Sequence, residues 1–465
     1  MPRVFGTDGA RGIANKEITC ELALGIGRAM VRVLTGKAEA GSKARRPKVL
    51  IGTDTRASSP MLAAALAAGL NAAGADAYLL GVAPTPAVSF LTSGGDYAAG
   101  AMISASHNPA EYNGIKLFQK NGQKLPDALE EQIEAILLDE TEPFPHPTGG
   151  GVGRTICLCE TPMENYIDFL AMTAGASLAQ DLADSGVRRI AVDCANGSAA
   201  ATAGRLFAKI GFDSKSCRIL YDNPDGININ AKCGSTDLVA LSAYVVKHKC
   251  ALGLAFDGDA DRLLAVDSTG AVVDGDKIIA LCAAQMKKEN RLHQDTVVAT
   301  VMSNMGFHKY CERHGIAVTT TTVGDRYVLE EMLRGGYSLG GENSGHIIFP
   351  EYATAGDGQL SALQLLTVLA KTGRSLHDLA AEIEMYPQVL INVRVSNLGK
   401  KRTHTDPEIL SAVAQVQQTL AGEGRVLLRV SGTEPVVRVM VEAKDPETTR
   451  SLAENLAAVV RERLI

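Results

Sequence analysis

The sequence predicts an α/β fold: three similar α/β domains with mixed, largely parallel sheets, followed by a smaller C-terminal α+β domain. Three observations carry this reading. Short apolar runs at 49–53, 77–82 and 98–102 alternate with helical stretches, the rhythm of parallel strands joined by crossover helices. The rhythm restarts twice, each time after Gly-, Pro- or Asn-rich punctuation. Beyond about Lys371 to Arg374 the order changes to strand, helix, two strands, helix. Length alone, 465 residues, suggests about three domains; the pattern divides the chain into four, at 1–155, 156–256, 257–371 and 372–465.

Composition sets the class. Hydrophobic residues make up 46% and charged residues 21%, as in soluble globular proteins. With no Trp and abundant Ala and Gly, the core is one of closely packed helices on sheets. Net charge is −6 without a block of like charges, which argues against nucleic acid as a partner but not against a small anion. Nine scattered cysteines lack zinc spacing and read as reduced thiols of a cytoplasmic protein. No stretch approaches a membrane span, and the first residues lack the apolar run of a signal peptide.

In chain order, residues 6–12 (Gly-Thr-Asp-Gly-Ala-Arg-Gly) read as a glycine-rich loop ending in Arg11, and a helix follows over 20–34. Strand 49–53 leads into a helix capped by Ser58 or Ser59 with Pro60 in its first turn, ending at Gly74. Strand 77–82 precedes Pro84-Thr85-Pro86, read as a rigid turn. The run 98–102 reads as a buried strand, Asn108-Pro109 and Gly114 break the chain into a loop, and Asn113-Gly114-Ile115-Lys116 follows. Three Pro and four Gly in 141–155 mark a domain boundary. The second domain has a helix near 162–172, strand 188–193, helix 198–210, and a long polar loop at 222–236 of the kind often functional. Strand 251–256 runs into an acidic loop. Strands near 263–267, 296–302, 316–321 and 337–341 complete the third round. The tail has strand 388–395, helix 406–421, strands 425–430 and 436–443, and helix 446–463.

Four segments carry chemistry. Residues 103–109, Ile-Ser-Ala-Ser-His-Asn-Pro, place hydroxyls beside a histidine at the carboxyl end of a strand, where open α/β sheets hold their ligands; the bland alternative is a polar turn bonding its own backbone. Asp257, Asp259 and Asp261 alternate with small residues, so three carboxylates share one side of an extended loop. They repel unless a cation lies between them, and all-oxygen ligands favour Mg²⁺ over Zn²⁺. A calcium EF-hand fails, because its twelfth position from Asp257 is Ser268. In Gly-Glu-Asn-Ser-Gly-His, Glu342 and Ser344 suit sugar hydroxyls and His346 can carry protons near neutral pH. Residues 429–438 offer Arg429, Ser431, Gly432 and Thr433 as an anion nest, joined by Arg438 if the flanking strands form a hairpin. A hairpin turn with surface arginines remains the other reading. The simplest geometry joining the four is one cleft between the domains, and the simplest chemistry is phosphoryl transfer, which rests on positioning and charge neutralisation.

These four motifs, in this order across essentially the full chain, resemble the α-D-phosphohexomutase superfamily. Val323-Gly324-Asp325-Arg326-Tyr327-Val328 and the loop Pro224 to Thr236 are similar to the bacterial phosphoglucosamine mutase group within it. Asn343 stands where that group more often has Gln, and Thr322 where a Lys or Arg is expected. The resemblance implies that Ser106, not Ser104, is the phosphorylated nucleophile, and that Asp257, Asp259 and Asp261 hold Mg²⁺ together with a phosphate oxygen on Ser106. It implies Arg11, Lys116 and His346 as charge stabilisers or proton carriers, Glu342 and Ser344 as sugar readers, and Arg429, Ser431, Gly432, Thr433 and Arg438 as a clamp for the idle phosphate. The implied reaction interconverts glucosamine 6-phosphate and glucosamine 1-phosphate through glucosamine 1,6-bisphosphate, for amino-sugar and cell-wall precursors. Closure of the C-terminal domain would protect the phosphoserine from water. A homodimer is also implied. Two alternatives stay open: the same scheme on mannose or glucose phosphates, and a non-catalytic sugar-phosphate sensor.

Overall fold

A computed structural model describes residues 4–6, 8–35, 46–138, 147–175, 177–431 and 435–465. The chain forms two compact units, one of Met1–Met302 with Ile316–Ala381, the other of Ser303–Gly315 with Glu382–Ile465. The first unit holds three sheets and the second holds one.

The first sheet comprises β1 (Phe5–Gly6), β2 (Gly9–Ile13), β3 (Lys48–Thr53), β4 (Asp76–Val82), β5 (Ala99–Ile103), β6 (Tyr112–Gln119) and β7 (Thr155–Cys157), in the order β1-β2-β6-β5-β3-β4-β7. The second comprises β8 (Ile190–Asp193), β9 (Cys217–Leu220), β10 (Leu252–Phe256), β11 (Leu263–Asp267) and β12 (Val272–Val273), in the order β12-β11-β10-β8-β9. The third comprises β13 (Thr296–Thr300), β14 (Ala317–Thr321), β15 (Gly340–Gly341) and β16 (Ile347–Ile348), in the order β14-β13-β15-β16.

One arrangement recurs in all three. A first strand (β3, β8, β13) lies between the next two, parallel to both, and a fourth strand (β6, β11, β16) returns antiparallel to the third. The sheets are therefore mixed, with a parallel centre. Their central strands β5, β8, β10 and β13 are wholly buried, which is why they read as continuous apolar runs rather than alternating ones. Ala-rich helices pack against them. In Cys20–Thr35 and Ser59–Ala72 small residues let the helices approach closely: a Cβ on Gly69 would lie 2.1 Å from the Leu24 carbonyl oxygen.

The second unit is an antiparallel sheet of β17 (Gln388–Arg394), β18 (Gly424–Val430) and β19 (Val436–Ala443), in the order β17-β19-β18. The helices Pro407–Leu420 and Pro446–Leu464 cover it through a core of Val, Ile and Leu. Both helices start as their sequences direct, with Asp406 and Asp445 capping the first turn and Pro following.

Several expectations are corrected. Within 6–12, residues 9–12 belong to β2, which pairs antiparallel with β1 and starts at Gly9 with φ +80°, and the glycine content hid the strand. Gly114, read as breaking the chain into a loop, lies inside β6 together with Asn113, Ile115 and Lys116. Pro84-Thr85-Pro86 does not end in a turn: it opens the helix Thr85–Gly94, since proline is tolerated in a first helical turn. The helix expected at 198–210 divides into a tight turn, Ser198–Ala201, and Ala203–Lys209. The strand expected at 337–341 shortens to Gly340–Gly341. The boundary expected at 256/257 falls inside the β10–β11 hairpin, whose strands pair along their whole length. Among the described residues, no helix is long and apolar enough to cross a membrane.

Candidate active site

The repeated topology places three of the chemical loops at equivalent positions. In each sheet the connection from the third strand to the antiparallel fourth carries one of them: Ser104 to Glu111 after β5, Asp257 to Arg262 after β10, Glu342 to His346 after β15. These connections leave the carboxyl end of a strand beside the parallel centre of the sheet, where ligands bind in open α/β folds.

Ser106 sits in the first of these loops in the left-handed region, at φ +50°, and is 1% exposed. Its Oγ donates to Asp257 Oδ2 at 2.6 Å. Ser104, three residues past the strand's centre, serves the backbone instead: its Oγ accepts from the Ser106 N–H at 2.9 Å and donates to Asp54 Oδ2 at 2.7 Å. His107 lies beside Ser106 Oγ at 3.3 Å; burial first, then Arg262 and Arg11, push its pKa down to about 4, so the ring is neutral at pH 7.

The three aspartates converge. Ligand oxygens of Asp257, Asp259 and Asp261 lie within 4.8 Å of one another, and all three residues are buried. Asp259 Oδ2 accepts from Thr85 Oγ1 at 2.6 Å and from Lys116 Nζ at 2.8 Å. Lys116 also stands 3.5 Å from Asp261 and 3.3 Å from Asp8. Asp259 Oδ1 and Asp261 Oδ1 are buried without a hydrogen bond, and the nearest cation to Asp261 Oδ1 is Arg262 Nε at 3.8 Å. A buried carboxylate oxygen left without a donor is costly, and a hard divalent cation is what would satisfy both. The donor set therefore fits such an ion. The charges are unevenly shared. Burial, then Asp261 and Asp259, drive the Asp257 pKa well up. Burial also acts on Asp261, but Lys116, His346 and Arg262 outweigh it and hold that carboxyl ionised. Lys116 responds in kind: burial opposes its charge, yet Asp259, Asp8 and Asp261 keep it protonated.

His346, on the third loop, approaches the same cluster. Its Nδ1 is 3.6 Å from Asp261 and its Nε2 3.4 Å from Asp325, while the Gly356 N–H donates to Nε2 at 3.2 Å. Burial lowers its pKa, but the two carboxylates win and raise it. Glu342 Oε1 accepts from the Gly324 N–H at 3.0 Å, and Ser344 Oγ is buried without a partner. Arg11, on β2, is ion-paired with Asp8. Asp8 in turn meets Lys124, which bridges to Asp325 at 2.5 Å.

The structure thus brings Ser106, Asp257, Asp259, Asp261, Lys116 and His346 into one cluster, with Arg11 ion-paired to Asp8, which stands beside Lys116. Sequence reasoning passed over Asp8, Asp54, Arg56, Thr85, Lys124, Asn230, Arg262 and Asp325. Asp8, Asn230, Arg262 and Asp325 lie inside stretches already singled out, and adjacency could have found them; Asp54 and Arg56 follow a strand in a short stretch that carries no motif.

In the second unit, β18 and β19 do pair, and Arg429 stands directly opposite Arg438. Residues directly opposite each other in an antiparallel pair present their side chains on the same sheet face. The Ser431 N–H donates to the Val436 carbonyl oxygen at 2.9 Å. Gly432 and Thr433 lie outside the described residues.

Family models match in sequence along the chain: phosphoglucomutase/phosphomannomutase α/β/α domain I over 2–144, domain II over 164–270, domain III over 274–386, and the C-terminal domain over 390–459. A phosphoglucosamine mutase from Acetivibrio thermocellus is 47% identical over 464 residues, covering 100% of both chains. Among solved structures, a phosphoglucomutase/phosphomannomutase family protein from Burkholderia thailandensis shares the fold with a TM-score of 0.76 at 21% identity, over 100% of this chain and 98% of that one. The N-acetylphosphoglucosamine mutase of Aspergillus fumigatus, solved with GlcNAc-6P and magnesium, shares it at a TM-score of 0.62 and 19% identity, over 99% and 96%.

Proposed function

The chain belongs to the phosphoglucomutase/phosphomannomutase family, and we propose that it interconverts glucosamine 6-phosphate and glucosamine 1-phosphate. Full-length relatives that are phosphoglucosamine mutases support this substrate. Such an enzyme is an isomerase that moves a phosphoryl group within one sugar. The observation that carries the mechanism is the bond from Ser106 Oγ to Asp257 inside a buried carboxylate triad.

In this reading Ser106 is phosphorylated. Its phosphoryl group passes to the free sugar hydroxyl, the O–P bond to serine breaking as the bond to the sugar forms, which gives glucosamine 1,6-bisphosphate and free serine. After the bisphosphate turns over, Ser106 takes the other phosphoryl and releases the isomeric monophosphate. Asp257, Asp259 and Asp261, with a phosphate oxygen on Ser106, would hold Mg²⁺, which supplies charge neutralisation to the transferring group. Lys116 remains cationic beside the triad and stabilises the charge that builds on the phosphoryl oxygens. Arg11 adds a second cation. His346, whose pKa is raised by its carboxylate neighbours Asp261 and Asp325 against the effect of burial, carries the proton of the sugar hydroxyl. Glu342 and Ser344 take sugar hydroxyls in either orientation. Arg429 and Arg438, with Ser431, Gly432 and Thr433, grip the phosphate that does not react. The reading extends to a cytoplasmic homodimer, its nine free cysteines being in keeping with a reducing compartment.

The test is intact mass followed by peptide mapping. One phosphoryl group on Ser106, exchanged onto sugar when the monophosphate and Mg²⁺ are added, is the expected result. A Ser106→Ala variant that keeps near-normal mutase activity would overturn the mechanism.

A further inference from the structure

The Ser106 loop is held from beneath by groups that no phosphoryl-transfer role accounts for. Asp54 and Arg56 follow β3, the strand next to β5, and their side chains are ion-paired at 2.8 Å with no exposure at all. Such a pair is costly to bury unless its remaining polar atoms are satisfied. Here they are. Asp54 accepts from the Arg56 N–H at 3.0 Å, from Ser59 Oγ at 2.6 Å and from Ser104 Oγ at 2.7 Å. The Arg56 guanidinium donates to the carbonyl oxygens of Ser106 at 2.9 Å and Asn108 at 2.8 Å, and to that of Pro109. Asn230, from the long polar loop of the second domain, donates to the first two of these oxygens, at 2.9 and 3.0 Å. The loops are tied again where the Ala57 N–H donates to the Gly226 carbonyl oxygen at 2.9 Å and Thr55 Oγ1 to that of Asn196 at 2.6 Å.

Two carbonyls are thus each gripped from two sides, by an arginine of the first domain and an asparagine of the second. Ser106, which carries the first of these carbonyls, is kept at a positive φ that a serine does not favour. We infer that Arg56 and Asn230 are positioning residues: they fix the Ser106 backbone in its left-handed turn and so set the approach of Oγ to Asp257. Neither touches the reacting atoms. A rigid planar fork suits this task, because Lys in its place has one nitrogen for three carbonyls and Asp54.

This inference rests on Ser106 as the phosphoryl carrier, and the test separates the two. Arg56→Lys and Asn230→Ala are prepared with Ser106→Ala as a control, each checked by thermal melting and by mass for phosphate on Ser106. A misplacement near 1 Å costs about 100-fold in rate. Arg56→Lys is expected to lose about that much in kcat, and Asn230→Ala about 10-fold, with KM for the sugar phosphate held within about two-fold. Asn230→Ala decides the matter if Arg56→Lys does not fold, since Asn230 lies on a partly exposed loop. A kcat for Asn230→Ala within two-fold of the parent, or a loss confined to KM, overturns the inference. If Ser106→Ala is itself active, the functional reading has failed instead.

Discussion

At the scale of single residues, conformation and charge at two positions set measurable consequences. Ser106 pays for its geometry with a left-handed backbone, worth about 1–2 kcal/mol for a residue with a Cβ. Ser106→Ala and Ser106→Gly remove the same hydroxyl, but only glycine relieves the backbone. The glycine variant should therefore be the more stable by about 1 kcal/mol, allowing for the greater freedom glycine has in the unfolded chain. Equal melting of the two variants would show that the turn stores no strain. Asp357 tests a different term. It caps the helix Gly358–Thr372 by accepting from the Leu360 N–H at 3.0 Å, and it accepts from Tyr166 Oη at 2.7 Å. Burial, against these bonds, raises its pKa to about 6 from an ordinary 3.8. The folded protein thus binds this proton more tightly than the unfolded chain does. Its contribution is fully present below about pH 4, falls as pH rises, and has gone above about pH 6, a change of about 3 kcal/mol. Asp357→Asn keeps the cap and has no such proton. The melting difference between parent and variant should favour the variant increasingly from pH 4 to 6 and then level off. A difference that does not vary with pH would show that Asp357 titrates normally.

At the scale of elements, the repeated connection between third and fourth strands is what gathers the chemistry, and the fit between two of these connections is tight. A Cβ on Gly258 would lie 2.5 Å from the Ser106 carbonyl oxygen and 2.9 Å from Asn230 Nδ2. Both obstacles are already committed to hydrogen bonds, so neither can yield cheaply. Gly258→Ala should leave the sheets intact, since the residue lies in a loop, but displace the aspartates from Ser106. An activity loss of about 100-fold with unchanged circular dichroism is expected; full activity would mean the two loops are not in register with each other. How far these elements could be read beforehand depended on side-chain pattern. The buried strands β5, β8 and β10 announced themselves as apolar runs, and the carboxylates by alternation. β2 and β6 did not, because Gly9, Gly12 and Gly114 dilute the strand signal and their partners lie far away in sequence. Asp54 and Arg56 left no trace either, and Asn230 was marked only as one residue of the loop 222–236. A polar side chain that bonds a carbonyl 50 or 124 residues away has no local spacing to betray it.

At the scale of the whole molecule, the second unit is not simply the end of the chain. Ser303–Gly315, which connects β13 to β14 of the third sheet, belongs to it. Asn304 shows how firmly. Its amide donates to the Tyr386 carbonyl oxygen at 3.0 Å and accepts from the Tyr386 N–H at 2.9 Å. The Met305 N–H donates to the buried Glu442 at 2.7 Å, and Glu442 also takes Arg425 Nε at 2.6 Å. Gly306 lies so close to Glu384 that a Cβ would fall 1.9 Å from its carbonyl oxygen. The helix Met305–Arg313 thus depends on residues 382–465 for partners, and each buried polar group stripped of its partner costs about 1–3 kcal/mol. A chain ended at Ala381 keeps all three sheets of the first unit but leaves Asn304, the Met305 N–H and the close approach at Gly306 without the residues that now meet them. It should be recovered largely as aggregate or bind a hydrophobic dye strongly. The same truncation with 303–315 replaced by a short polar Gly-rich link should be soluble and melt cooperatively, because the mismatch has been removed with the helix. Sedimentation and dye binding of the two truncations decide the point: if the simple truncation is soluble and dye-free, the helix belongs with the third sheet, and the division of the molecule lies at the end of the chain after all.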